Sequence, residues 1–491
     1  MPSLKKNLIY NISYQILIVL IPLIISPYIS RVLGPSLIGV YSYSFSIANY
    51  FVIFAALGVS KYGSRSIAQV RNNKELLSRT FISIYTLQVA ISFIVVVIYI
   101  LYLICYSGSN YKIALILIFL VISNIFDITW FFFGIEEFKI TVTRNTIIKV
   151  ATLLAIFLFV KSEDDFAAYT FIMAGGTLIG QISVFPFLRK RIYFIRPTLK
   201  EVLVHIKPNI VLFIPVLAIS IFTMMDKLML GLLSDMEELG YYENADKIIS
   251  IPKSLIRALG VVMLSRISNL VAEGKANESK QYLSKTILYV AIIASALSFG
   301  LAAVGPVFAP VFWGSEFTEC GEIITYLTPA LIFSVLGNIL RTQYLIPNQM
   351  DKEYTISSIL AAVVNVVVNA MLIGRYGAMG AVIGTICAEL TLMVYQIIIV
   401  SRKISIFSYY LNGYMFYIIG LMMFCFIRLI QSYMSINLLS LLVQIVVGGI
   451  FYIVASYIYI MISRNKELYE LKKLLWMILS PLSRKYKKPL I

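Results

Sequence analysis

The chain has 491 residues, 60% of them hydrophobic and 13% charged, with a formal net charge of +17. A soluble protein carries about 25% charged residues, so this composition describes an integral membrane protein, and no stretch is long and polar enough for a soluble catalytic domain. In a soluble chain the basic excess would point to nucleic acid; here most Lys and Arg fall in alternate loops and the tail, where they set topology, and no nucleic-acid partner is expected.

Apolar runs of about 20 residues, each enough to cross a bilayer, recur down the chain. They predict about fourteen spans. The first six lie near residues 8–32, 37–60, 80–105, 112–134, 146–160 and 167–188. Six more lie near 210–233, 244–270, 283–304, 323–346, 355–374 and 379–401, and two near 409–431 and 438–462. Lys5 and Lys6 precede the first run as in a signal peptide, but the run contains Pro22 and Pro27 and lacks a small-residue cleavage site, so it reads as a retained span.

Loop charges orient the spans. Lys61, Arg65, Arg71, Lys74 and Arg79 follow span two; Arg189, Lys190, Arg191, Arg196, Lys200 and Lys207 follow span six. Glu163, Asp164 and Asp165, then Asp235, Glu237 and Glu238, and then Glu316 and Glu319 occupy alternate loops. An even span count with a basic tail places both termini in the cytoplasm. Residues 467–479 read either as an amphipathic surface helix or as plain tail. Cys105, Cys320, Cys387 and Cys425 match no metal-ligand spacing, so neither a disulfide nor a metal is assigned. His205, the single histidine, sits in a basic cytoplasmic loop, which excludes His-based catalysis.

An internal repeat organises these spans. Gly39-Val40-Tyr41 and Gly240-Tyr241-Tyr242 are 201 residues apart, as are Ser64-Arg65 and Ser265-Arg266; Asn124/Asn338 and Thr141/Thr355 share an offset of 214. The expected fold is all-α: two six-helix lobes related as parallel repeats by an axis along the membrane normal, plus two extra C-terminal helices. The boundaries are an N-terminal lobe over 1–190, a C-terminal lobe over 191–403, spans thirteen and fourteen over 404–463 and a basic cytoplasmic tail over 464–491.

An ordered set of motifs carries a family resemblance. Ser30-Arg31-Val32-Leu33-Gly34 and Tyr62-Gly63-Ser64-Arg65 come first, then Met225-Asp226-Lys227-Leu228-Met229-Leu230-Gly231, Tyr242-Glu243-Asn244-Ala245-Asp246-Lys247 and Gln343-Tyr344-Leu345-Ile346-Pro347-Asn348. Across spans one to twelve the chain resembles the Wzx-type oligosaccharide flippases of the multidrug/oligosaccharidyl-lipid/polysaccharide (MOP) exporter superfamily. The resemblance implies a transporter, not an enzyme, in the bacterial cytoplasmic membrane. It would move undecaprenyl-pyrophosphate-linked oligosaccharide repeat units to the outer leaflet by alternating access, for capsule or O-antigen synthesis. Polysaccharide polymerase and chain-length machinery are the implied partners. No cofactor is implied beyond a proton or sodium ion for coupling.

Such a substrate needs fixed positive charge, and span eight supplies it. At 100° per residue, Asp246, Ser250, Lys253, Arg257 and Gly260 lie at about 0°, 40°, −20°, 20° and −40°, one polar stripe on an apolar helix. Arg257 suits phosphate through its planar fork, and Lys253 adds a point charge. Two readings stay open: an anion site, or a buried salt-bridge ladder with Asp246 and Asp226. At offset 201, Lys253 falls on Val52, Arg257 on Ala56 and Ser250 on Asn49, so span two lacks the charges. At offset 214, Asp127 falls on Arg341, a pair that would hold a gate shut until substrate phosphate competes, or would find separate local partners.

Adjacent Asp226 and Lys227 point about 100° apart. Asp226 is a coupling candidate, with Glu389 and Asp127 as rivals, because burial raises a carboxyl pKa. Arg31 binds pyrophosphate on release or snorkels to the interface. Asn49, Asn365 and Asn369 are candidate sugar contacts, the last two equally suited to linking helices. Two other functions compete. One is a multidrug or other small-molecule exporter of the same superfamily; exporters of cationic drugs would favour an acidic cavity, whereas Lys253, Arg257 and Arg341 are basic. A polysaccharide polymerase usually needs a large external loop, and the longest here runs only from about Gly305 to Glu322.

Overall fold

Inside a bilayer no water accepts an unpaired N–H or C=O, so a chain this apolar must satisfy its backbone within helices. The computed structural model describes the backbone of residues 4–105, 108 and 110–463, with Leu468 and Lys472 beyond, and side chains from Leu20 onward except residues 215, 218, 222, 259, 261, 262 and 265. Most of the tail, including the expected surface helix over 467–479, therefore lies outside the described residues. Every regular element among the described residues is helical.

Ten helical segments are long and apolar enough to cross a membrane. Two of them, Leu20–Val70 and Asp351–Ser401, run to 51 residues, about 76 Å at 1.5 Å per residue against a hydrocarbon core of about 30 Å. The first turns at Gly34 and breaks again at Leu57 and Gly58, and the second turns at Gly377. Gly34 has φ 69° and Gly377 has φ 51°, a backbone region that a Cβ disfavours. With the halves counted separately, and with Ile206–Leu233 and Met236–Ala272, the described residues hold fourteen membrane-length segments.

They are α1 (residues 4–33), α2 (35–56), α3 (Lys74–Cys105), α4 (Tyr111–Gly134, built of short turns), α5 (Phe138–Phe159), α6 (Phe166–Ile182), α7 (Ile206–Leu233) and α8 (Met236–Ala272). Next come α9 (Ala276–Trp313), α10 (Thr318–Leu340), α11 (residues 351–376), α12 (378–401), α13 (Tyr414–Gln431) and α14 (Leu438–Ile462). The helix α5 begins eight residues before the predicted fifth span, because the polar turn carrying Lys139 and Arg144 is helical too.

The chain divides into two compact units, residues 1–244 with 369–381, and 245–368 with 382–491. In the first, Phe81, Trp130, Phe131 and Phe132 form a buried core with the helix Val59–Val70. The helix α4 breaks at a 3-10 turn over Asn124–Phe126. Gln88 donates its amide to the carbonyls of Asn124 (2.7 Å) and Asp127 (2.9 Å) there, and accepts from the Trp130 indole (2.9 Å). In the second unit, α13 and α14 pack on α9 through Leu288, Phe416, Met423 and Tyr452. Arg428 of α13 donates to the Ala302 carbonyl (3.1 Å) and the Thr325 hydroxyl (2.9 Å).

The repeat reappears as packing inside the first unit. A methyl on Gly39 would be driven into the carbonyl of Met236, and a methyl on Gly240 into the carbonyl of Pro35. Pro35 and Met236, like Gly39 and Gly240, are 201 residues apart, so each glycine admits the first turn of the other's helix. A second pair obeys the same exchange. Gly231 lies against the Tyr43 ring, and their counterparts Ser30 and Asn244 are hydrogen-bonded (2.9 Å). On the exchange axis, Ser42 donates to its own counterpart, Glu243 (2.8 Å).

Candidate functional site

The second unit gathers most of the charges expected to hold an anion. Lys253 and Arg257 are one turn apart on α8, and Glu389 of α12 and Arg341, which follows α10, face the same region. The Lys253 ammonium lies 3.5 Å from Glu389, with side chains 13% and 8% exposed. Arg257 is exposed and feels the charges of both Arg341 and Glu389. Arg341 opens a π turn over Arg341–Leu345, donates to the Asn338 amide oxygen and lies 5.5 Å over the Tyr354 ring. A Cβ on Gly260 would come within 3.1 Å of Asn338 and 3.2 Å of Thr342, so the missing side chain lets α8 approach α10 closely.

The cluster therefore holds three cations and one carboxylate. The expected ladder to Asp226 and Asp246 is not what neutralises Lys253: its counter-charge is Glu389. Asp246 is half-buried. The excess of positive charge suits a multiply charged anion, and Arg257 keeps its fork accessible for bidentate contact.

The first unit holds a different network. Asp226 is buried and accepts from the Tyr242 hydroxyl (2.8 Å) and the Asn369 amide (2.6 Å). Lys227 pairs with Glu243 at 2.7 Å. The two neighbours thus point to different partners, as the helical angle predicts. Asn49 donates to the Met224 sulfur (3.2 Å). Asn365 and Asn369 are both fully buried, and Asn369 links its helix to α7 through Asp226. Arg31 is exposed at the end of α1, three residues before the Gly34 bend.

Asp127 accepts from the Thr129 amide (3.0 Å) and hydroxyl (2.5 Å), so it and Arg341 each have a partner in their own unit. Both stand where the helix is irregular, Asp127 after the 3-10 turn and Arg341 at the π turn, at equivalent places in the repeat.

Two cations of α5 escaped the sequence reading. Arg144 is buried and donates to the Gly180 carbonyl (2.9 Å) and the Gln181 side chain (2.8 Å) on α6. Lys149, one turn on, is half-buried with no hydrogen-bond or ion-pair partner among the described residues. His205 also gains a role as an anchor at the start of α7. Its Nδ1 lies 2.7 Å from the Tyr62 hydroxyl and its Nε2 3.0 Å from Ser83 Oγ. Ser83 directs its hydrogen to the Arg79 carbonyl (2.9 Å), so Nε2–H donates to Ser83 and Nδ1 accepts from Tyr62. Burial pushes the imidazole pKa below its ordinary 6.5.

A groove of about 1090 Å³ in the first unit, lined by Phe81, Tyr85, Phe93, Phe185 and Phe194, holds Arg189 but none of the clustered charges. It runs along α3, and no residue of the Asp226 network lines it.

Comparison with known proteins agrees with this architecture. The profile of the polysaccharide biosynthesis protein family matches residues 4–271. A Shigella dysenteriae protein named "Putative O-antigen transporter" is 26% identical over 404 residues, covering 80% of this chain and 99% of its own. The lipid II flippase MurJ in an inward closed conformation superposes with a TM-score of 0.68 at 16% identity, covering 92% of this chain and 98% of its own. An inward-facing multidrug resistance MATE transporter of the MOP superfamily gives 0.61 at 16% identity, covering 81% and 98%. The last two likenesses speak to fold alone, and all of these proteins are named as transporters or flippases, not enzymes. The chain is a multi-pass membrane protein with the fold of the MOP superfamily, and it belongs to the polysaccharide biosynthesis protein family.

Proposed function

We propose that the protein moves undecaprenyl-pyrophosphate-linked oligosaccharide repeat units from the cytoplasmic to the outer leaflet by alternating access, for O-antigen or capsule synthesis. The observation that carries this reading is the cluster of Lys253, Arg257 and Arg341 around a single Glu389. At membrane depth such charge is too costly to keep without a ligand or a partner, and an excess of cations selects an anionic ligand over the cationic drugs of related exporters. In this reading Arg257 grips the pyrophosphate, Lys253 and Arg341 add charge, and Arg31 meets the anion on release. Asp226 is the coupling carboxylate for a proton or sodium ion, and Tyr242 and Asn369 hold it in place. Both termini lie in the cytoplasm, and the delivered units pass to a polymerase and its chain-length partner.

Deletion of the gene tests the reading. Surface polysaccharide should be lost, with lipid-linked repeat units accumulating on the cytoplasmic leaflet. Accumulation on the outer leaflet would instead identify a polymerase and overturn the proposal.

A further inference from the structure

Lys149 sits at mid-helix in α5, with 11 residues before it and 10 after it in Phe138–Phe159. At 1.5 Å per residue it is about 15 Å from either end, farther than the four-carbon stem of a lysine can snorkel. Its direction follows from its neighbours. Val142 and Ile156 lie within about 20° of it around the helix, and both are buried. Ile147, Val150, Leu154 and Leu158 lie about 100–180° away, and all four are exposed. The lipid face of α5 is therefore the opposite one, and Lys149 points into its own unit. It is nevertheless only half-buried.

Arg144 shows what a structural cation on the same helix looks like, since it is buried against a carbonyl and an amide oxygen. Lys149 has neither a carboxylate nor a carbonyl among the described residues. An ammonium held inside a membrane protein without a counter-charge destabilises the empty state unless a ligand supplies the charge.

We propose that Lys149 is an anion-contacting residue for the transported lipid, a station on the N-terminal unit separate from the Lys253–Arg257–Arg341 cluster. The inference rests on the function proposed above. It gives the N-terminal unit an anion contact of its own.

The test uses the full-length protein and three probes, undecaprenyl pyrophosphate, undecaprenyl phosphate and neutral undecaprenol, with binding followed by native mass spectrometry. Lys149→Met should weaken pyrophosphate binding roughly tenfold, the scale of one charge-assisted contact, and leave undecaprenol binding unchanged. The same variant should melt at a higher temperature than wild type, because it removes an uncompensated charge. Lys149→Arg should retain binding. Unchanged pyrophosphate affinity in Lys149→Met, with wild type still preferring the pyrophosphate, would overturn this inference and leave the proposed function standing. So would a lower melting temperature with equal loss for all three probes, which would mark Lys149 as structural. Wild type binding undecaprenol as tightly as the pyrophosphate would overturn both.

Discussion

Replacing Gly240 with alanine probes the seam between the α1–α2 bend and the α7–α8 turn. The added methyl would overlap the Pro35 carbonyl, a backbone atom that cannot rotate away. Overpacking of this kind costs roughly 1–3 kcal/mol. If the seam separates during transport, that energy falls on the closed state alone, and the open-to-closed ratio rises about 5- to 150-fold. Gly39→Ala meets the Met236 carbonyl in the mirror position and should act in the same direction. The double variant should fall short of the sum, because a seam already parted by one methyl has room for the second. The assay is the rate at which a membrane-impermeant thiol reagent labels Ser42→Cys, a position buried beside Glu243 when the seam is closed. In the topology proposed above this end of the helices faces outward, so labelling should be faster from that side. The reasoning is refuted if the glycine variants melt earlier without any gain in labelling, which would make the seam a permanent part of the fold.

Other substitutions address the charges. Arg257→Lys keeps the charge but loses the planar fork, and should reduce transport of the lipid-linked unit at least tenfold in a reconstituted flipping assay. Glu389→Gln leaves Lys253 without its counter-charge, and should lower stability by roughly 3 kcal/mol as read by thermal denaturation. For His205 the folded pKa lies below 6.5, so the neutral state is favoured by folding. Its contribution is complete above pH 6.5 and is lost as the pH falls from there through the folded value. Hydrogen exchange at residues 205–209 should accelerate over that window, and His205→Gln should flatten the dependence. Exchanging the charges of Asp127 and Arg341 should restore transport lost in each single reversal if the two pair during the cycle; no recovery would assign each to its local partner.

Hydropathy alone located the spans, because burial in lipid demands unbroken apolar runs. The repeat was legible from Gly39 and Gly240 because a helix crossing that close admits no other residue. The stripe on α8 was legible from angle, but its partner Glu389 comes from a helix about 130 residues further along, and no local spacing reports such a contact. Lys149 was missed for an instructive reason. Reading the fifth span from its apolar part places that lysine three residues from the start, where a lysine merely reaches for the interface. The helix in fact begins at Phe138, on a turn too polar to register as membrane, and this moves Lys149 to the middle. Arg144 was lost for the same reason. The Asp226 network was half legible: the angle separated Asp226 from Lys227, while Tyr242 and Asn369 as partners required the fold.

The exchange of partners across the seam has one more consequence. Where residue i meets j, and the counterpart of j meets the counterpart of i, the surface is self-complementary, as in a two-fold homodimer. Residues 30–43 and 231–244 are thus two copies of one interface half. Each copy therefore carries both sides of the contact, the close-approach glycine and the helix start that it admits. Only the axial position departs from the symmetry, with Glu243 on one copy and Ser42 on the other.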